Sequence, residues 1–195
     1  MISNFPAPYP NELIYSVIAR YAVHNGILSP KYLTEELFNN RNLTPTYDLP
    51  SHLDRVASYL PDHYDALILI NQHTLLPIYQ PFQPDTVMRY AVQALRGEQY
   101  QSLHTKLGKN ASRIKAVSFF RFCPQGWREQ RRQDGEVYWK CSWQITGYEY
   151  CTRHQQSLSV SSMSCNGIDR KFYFAHLNAL KDSSQLVFNL QDVNH

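Results

Sequence analysis

The sequence predicts a mostly α protein. A helical amino-terminal domain covers residues 1–97, and a small α+β module built on a cysteine/histidine knuckle covers residues 98–195. Three observations predict it. Apolar residues recur at helical spacing through the first half. All four cysteines, Cys123, Cys141, Cys151 and Cys165, fall in the second half. An aromatic, strand-like run, Phe119-Phe120-Arg121-Phe122, leads directly into the first of them. There are 11 prolines against 7 glycines, a mix that favours compact helices separated by stiff connections.

Taken in order, the first helix starts at Asn11 after Pro10, buries Leu13, Ile14, Val17, Ile18, Tyr21 and Ala22, and ends at Asn25-Gly26. Ser29-Pro30 supplies an N-cap and a pre-set first residue for a second helix reaching Phe38. Ser51, with Asp54 three residues on, predicts the cap of a third helix through Leu60. A fourth helix carries Tyr64, Leu67, Ile68 and Ile70. Pro77, Pro81 and Pro84 predict an extended connection, after which Asp85 caps a fifth helix through Val87, Met88, Ala91 and Leu95, ended by Gly97. The stretch from Gln99 to Lys115 predicts one short helix with Leu103 and Leu107 inward. After Cys123-Pro124-Gln125-Gly126, a basic helix is expected from Trp127 to Gln133, a turn at Asp134-Gly135 and a strand from Val137 to Trp143.

Charge divides the chain. Residues 1–96 hold six Lys/Arg against eight Asp/Glu, whereas residues 97–195 hold thirteen against eight. The excess lies between Lys106 and Lys140, where Lys106, Lys109, Arg113, Lys115, Arg121, Arg128, Arg131, Arg132 and Lys140 face only Glu129, Asp134 and Glu136. Such a stripe suits neutralisation of nucleic-acid phosphates, and its plainer reading is a solvated surface. The opening two helices with a short turn invite a helix-turn-helix reading. However, the second carries Lys31, Glu35 and Glu36 and the third His52, Asp54 and Arg55, so neither is a basic recognition helix. A protein-contact surface fits those charges better.

No apolar run approaches the roughly 20 residues of a membrane span. The opening Met1–Pro6 lacks the basic and apolar regions of a secretory signal, so a soluble protein of a reducing compartment is expected. There, clustered Cys and His point to metal in preference to disulfides. Cys151-x-x-His154 has the spacing of a zinc knuckle, since two donors on a tight turn can converge on one ion. Cys123-Pro-x-Gly126 has the turn but one sulfur. Cys141 is the candidate fourth ligand. On a strand it would share a face with Trp139 and Trp143, and it then reads equally as a small buried hydrophobe. Cys165, in a serine-rich segment, is a weaker candidate. A three-ligand site open to water is the enzymatic alternative, but only Glu136 and Glu149 lie near in sequence and neither is arranged as a general base. No Ser-His-Asp elbow or phosphate-binding glycine loop is present, and the chain reads as a non-enzyme.

These residues resemble the TniQ/TnsD family of transposon target-selection proteins, in the amino-terminal part of its TnsD members. The resemblance runs through Asn4-Phe5-Pro6, Asn11-Glu12-Leu13-Ile14-Tyr15-Ser16, Leu49-Pro50-Ser51-His52-Leu53 and His73-Thr74-Leu75-Leu76-Pro77. It is most specific at Phe120-Arg121-Phe122-Cys123-Pro124, Tyr138-Trp139 and Tyr150-Cys151-x-x-His154, and it fades beyond Leu158. It implies a helical domain with a helix-turn-helix, followed by a zinc-ribbon-like module holding Zn(2+). It implies a non-catalytic adaptor that marks an insertion site on double-stranded DNA and recruits the AAA+ regulator TnsC. Transposase subunits or a CRISPR effector complex are further partners in the family. A bacterial, cytoplasmic and nucleoid-associated location follows, with no membrane partner. Carried over residue by residue, the ligands are Cys123, Cys151 and His154, because Gly126 stands where the family usually has a cysteine. Long TnsD members continue far beyond this length, so either a short member or a fragment is expected. The competing reading is a stand-alone sequence-specific DNA-binding protein.

Overall fold

The computed structural model describes residues 2, 4–97, 103–108 and 117–176. These are mostly helical, with two small two-stranded sheets in the second half. Helix α1 spans Ile14–His24 and starts later than its periodicity predicts. The reason is that residues 11–13 are engaged elsewhere: Asn11 sits at φ 62°, the Asn11 carbonyl accepts from Cys141, and the Leu13 amide donates to the Trp139 carbonyl at 2.9 Å. Helix α2, Pro30–Phe38, is capped as expected, the Ser29 hydroxyl accepting from the Tyr32 amide, and it closes on Asn39 in the left-handed region.

Helix α3 is only Leu53–Ala57. Ser51 does not cap it. His52 occupies that position at φ 64°, and the Ser51 hydroxyl lies 2.7 Å from the His52 Nδ1 instead. Helix α4, Ala66–His73, is capped by the Asp65 carboxylate and buries Leu69 and Ile70, leaving Leu67 outward. The proline-marked stretch is not extended. Leu76–Phe82 forms a 3-10 helix, with Pro77 in its first turn, where a missing N–H costs no internal bond. Helix α5, Asp85–Arg96, and the single turn α6, Leu103–Lys106, follow, with Leu103 and Leu107 inward as predicted; Asp85 does not cap α5 but is its first residue, because the extended backbone of Pro84 takes the cap position. The rest of the Gln99–Lys115 stretch lies outside the described residues. No helix among the described residues is long and apolar enough to cross a membrane.

In the second half, strand β1, Phe119–Phe122, leads into helix α7, Pro124–Asp134. Strands β2 (Tyr150–Cys151) and β3 (Gln156–Ser157) form a short antiparallel hairpin. Strand β4, Ser159–Ser164, returns antiparallel to β1, pairing Phe122 with Ser159 and Phe119 with Ser164 across a bulge. The strand predicted over Val137–Trp143 is absent. Its backbone makes one bridge, Lys140 to Glu12, and then turns as the 3-10 segment Ser142–Gln144. Trp139, Cys141 and Trp143 are nevertheless all buried.

Two buried clusters result among the described residues. One holds Ile14, Val17 and Ile18 of α1 with Leu37, Leu53, Leu69 and Leu95. The other gathers Phe120, Phe122, Trp127, Trp139 and Trp143 with Leu13 and Tyr15. The start of α1 therefore feeds both cores from opposite faces, and this holds the knuckle against the helical half.

Candidate metal centre

Cys123 is the N-cap of α7. Its backbone is extended, Pro124 occupies the first helical position, and its Sγ accepts from the Gly126 amide at 3.4 Å. The Cys-Pro-x-Gly stretch is thus a helix start that turns one sulfur away from the core of the helix. Facing it is the β2–β3 hairpin. Its loop, with Gln155 at φ 49°, carries His154, and Leu158 donates to Glu149 at 2.8 Å to close the base.

The loop brings three donors together. Cys123 Sγ lies 3.2 Å and Cys151 Sγ 3.5 Å from His154 Nδ1, and all three atoms fall within 4.8 Å of one another. Both sulfurs are buried, and the His154 side chain is 6% exposed. A tetrahedral zinc with bonds of about 2.3 Å to sulfur and about 2.0 Å to nitrogen separates such donors by about 3.5 Å, so the pocket fits the ion. Burial pushes the Cys123 thiol up and Cys151 adds to this, while hydrogen bonds from Gln156 and Gly126 act the other way. Two thiols and an imidazole so placed form a soft donor set suited to zinc.

The far side of the histidine is also set. Glu129 Oε1, one turn into α7, lies 3.1 Å from His154 Nε2, and its other oxygen lies 3.1 Å from the Arg153 guanidinium. Burial raises the Glu129 carboxyl, but the His154 hydrogen bond and the charges of His154, Arg153 and Arg132 outweigh it and leave it below its ordinary value. A carboxylate on the outer nitrogen of a ligating histidine fixes the ring's tautomer and orientation.

Cys141 is not brought into this group. Its Sγ points to the Gln72 carbonyl at 3.8 Å, and burial raises its thiol. Cys165 is also apart, donating to the Val117 carbonyl. Nor can position 126 be refilled. A Cβ on Gly126 would stand 2.7 Å from Trp143 Cζ2 and 3.0 Å from Cη2, so an indole occupies the space a fourth sulfur would need.

The residues of the basic stripe do not share one environment. Arg128, Arg131 and Arg132 project from α7 into solvent. Arg131 also donates to the Gly135 carbonyl, tying down the helix end. Arg121 departs from the expectation of a phosphate contact: it is 9% exposed and its guanidinium donates to the Ile145 carbonyl at 2.6 Å. On β1 its side chain alternates to the face opposite Phe120 and Phe122, and Gln144 brackets its backbone. Lys140 is half-buried over Tyr138 and Trp143, and Lys106 lies 4.5 Å above the Tyr90 ring. Lys109, Arg113 and Lys115 lie outside the described residues.

Sequence reasoning missed Glu129 as a partner of His154, Gln156 beside Cys123, and Trp143 over Gly126. A signal existed for Gln156 alone: four residues between Cys151 and Gln156 is a common hairpin loop length, which sets the two opposite each other.

The family model described as TniQ matches residues 4–158. A relative, the Transposon Tn7 transposition protein TnsD of Escherichia coli, is 40% identical over 153 residues, covering 77% of this chain and 30% of the relative. The chain therefore spans less than a third of the length of the curated relative it matches.

Proposed function

The chain belongs to the TniQ family, and on that premise we propose that it is a target-selection adaptor for DNA transposition. In this reading it associates with double-stranded target DNA and recruits the AAA+ regulator TnsC. The breaking and joining of DNA falls to its partners. The observation that carries the reading is the TniQ family match over residues 4–158, a span that includes the whole cysteine/histidine cluster.

Zinc in this reading is structural. Cys123, Cys151 and His154 would hold it, and when bound it supplies a cross-link between a helix start and a two-residue-strand hairpin. Glu129 keeps the histidine ring turned inward. The centre thereby ties the hairpin to α7, whose outward Arg128, Arg131 and Arg132 supply the phosphate contacts, together with Lys109, Arg113 and Lys115. Positions 128, 131 and 132 are spaced by three and four residues and share one helix face. Arg121 and Lys140 serve packing in this scheme. The acidic helical half, with Glu35 and Glu36 on α2, is the side offered to the protein partner.

Two measurements test the proposal. Binding of a fluorescent duplex should weaken with salt and show little sequence preference. Charge reversal at Arg128, Arg131 and Arg132 should flatten the logarithmic salt slope by about 0.9 per lost contact. Binding that persists at high salt and depends strongly on sequence would favour the stand-alone DNA-binding reading. Co-purification with TnsC should survive those reversals, and its absence in the unmodified chain would overturn the adaptor role.

A further inference from the structure

The three-donor centre lacks a fourth ligand from the helix start, and the space there is closed by Trp143, itself 4% exposed. The opposite wall offers one. In the β2–β3 hairpin Cys151 pairs directly with Gln156, and directly paired residues on antiparallel strands project to the same face. The Gln156 side chain follows Cys151 and His154 toward α7, and its amide reaches Cys123 Sγ at 2.9 Å. Glu129 cannot serve, because it addresses the outer nitrogen of His154. Cys141 points to the Gln72 carbonyl, away from the centre.

We infer that Gln156 completes the metal centre, its amide oxygen taking the fourth coordination position that Gly126 vacates. The inference rests on the metal reading above. The two ends of a glutamine amide are interchanged by a half-turn of the terminal torsion, so the group touching Cys123 can present either nitrogen or oxygen. Without metal, nitrogen faces the sulfur as a donor. With a cation held by Cys123, Cys151 and His154, the half-turn presents oxygen to it. Two thiolates then balance the charge of a divalent ion, and a neutral amide adds no excess negative charge to a buried site.

Substitution separates ligation from a mere N–H···S contact, because the two roles respond oppositely to a carboxylate. If Gln156 only donates to the thiolate, Gln156→Glu removes the donor, adds a like charge and weakens metal binding. If its oxygen ligates, the same change strengthens binding. The test is competition of the full-length chain against a chromophoric chelator for zinc, with cobalt(II) spectra as the second readout. Expected are zinc binding about tenfold weaker in Gln156→Ala, binding at least as tight as the unmodified chain in Gln156→Glu, and a cobalt ligand-field envelope that changes in the alanine variant only. Unchanged affinity and spectrum in Gln156→Ala, or weaker binding in Gln156→Glu, overturns the ligand role while leaving the three-donor centre intact. No zinc bound by the unmodified chain overturns the centre itself, and the ligand role with it.

Discussion

At the scale of single residues, the most consequential group outside the candidate metal centre is Arg20. Its guanidinium bonds Glu12 at 2.8 Å and Glu136 at 2.8 Å and lies 4.2 Å from the centre of the Tyr9 ring. Glu12 is fully buried, and it also accepts from the Tyr9 amide and the Ser16 hydroxyl. Burial pushes the Glu12 carboxyl up to about 7, and Arg20 with these donors offsets only part of that rise. Removing the cation leaves a buried carboxylate without its counter-charge. Arg20→Ala should therefore lower stability by about 3–5 kcal/mol, read as a shifted denaturation midpoint. Glu136 behaves differently. Partial burial raises its carboxyl, but the bond and charge of Arg20, with bonds from His24 and Tyr9, more than offset this and hold it below its ordinary value. A lowered folded value means that the unfolded chain binds the proton more readily. The stability Glu136 contributes is then present above about pH 4.3, the ordinary glutamate value, and is lost as pH falls through the lower folded value. The stability gap between the unmodified chain and Glu136→Gln should close on acidification through that window. A constant gap from pH 7 to pH 3 would show that Glu136 is not held ionised by these partners.

At the scale of elements, the β2–β3 hairpin depends on what it faces. Each strand is two residues long, and an isolated hairpin of that size has no independent stability in water. Helix α7 has other anchors: Trp127 stacks on Phe122 with centroids 3.8 Å apart, and Gly135 closes the helix at φ 79°. Stripping metal with a strong chelator should thus raise amide exchange across residues 149–158 and leave α1 and the α7 segment around Trp127 protected. Equal exchange in the hairpin with and without chelator would mean that packing, not metal, holds it. The same hierarchy explains which elements were legible beforehand. Helix α2 carries its own start signal at Ser29-Pro30 and its stop at Asn39, and α5 its stop at Gly97, so local chemistry suffices. Helix α3 does not, because Ser51 turns to the His52 ring when tertiary packing places that ring beside Phe38.

For the whole molecule, the two cores are joined at several points. Leu13 and Trp139 are linked through the backbone, the Trp139 amide donates to the Ser16 hydroxyl, and the Tyr15 hydroxyl bridges the Lys171 carbonyl and the Tyr173 amide. The Trp139 indole N–H donates to the Tyr173 carbonyl. Strand β1 takes its partner β4 from beyond residue 158, where the family resemblance ends. Neither core is complete without the other half of the chain. Unfolding should accordingly proceed in one cooperative step, with near-ultraviolet signals of the tryptophan cluster and far-ultraviolet signals of the helices falling together. Two separated transitions would show that the boundary expected near residue 97 divides independently folding domains.

Sequence alone determined the features whose causes are local. These are the helical periodicity of the first half, the Ser29-Pro30 helix start, the charge division, and the Cys123 and Cys151-x-x-His154 candidate donors. Tertiary structure alone decided which donors meet. It sent Cys141 to the Gln72 carbonyl, set Trp143 over Gly126, and buried Arg121 while leaving Arg128 and Arg132 outside. It also brought Gln156 to Cys123. The physical reason is range. A cap or an amphipathic face is settled within one or two turns of chain, whereas a coordination sphere depends on which side chain fills a space first, and here an indole did.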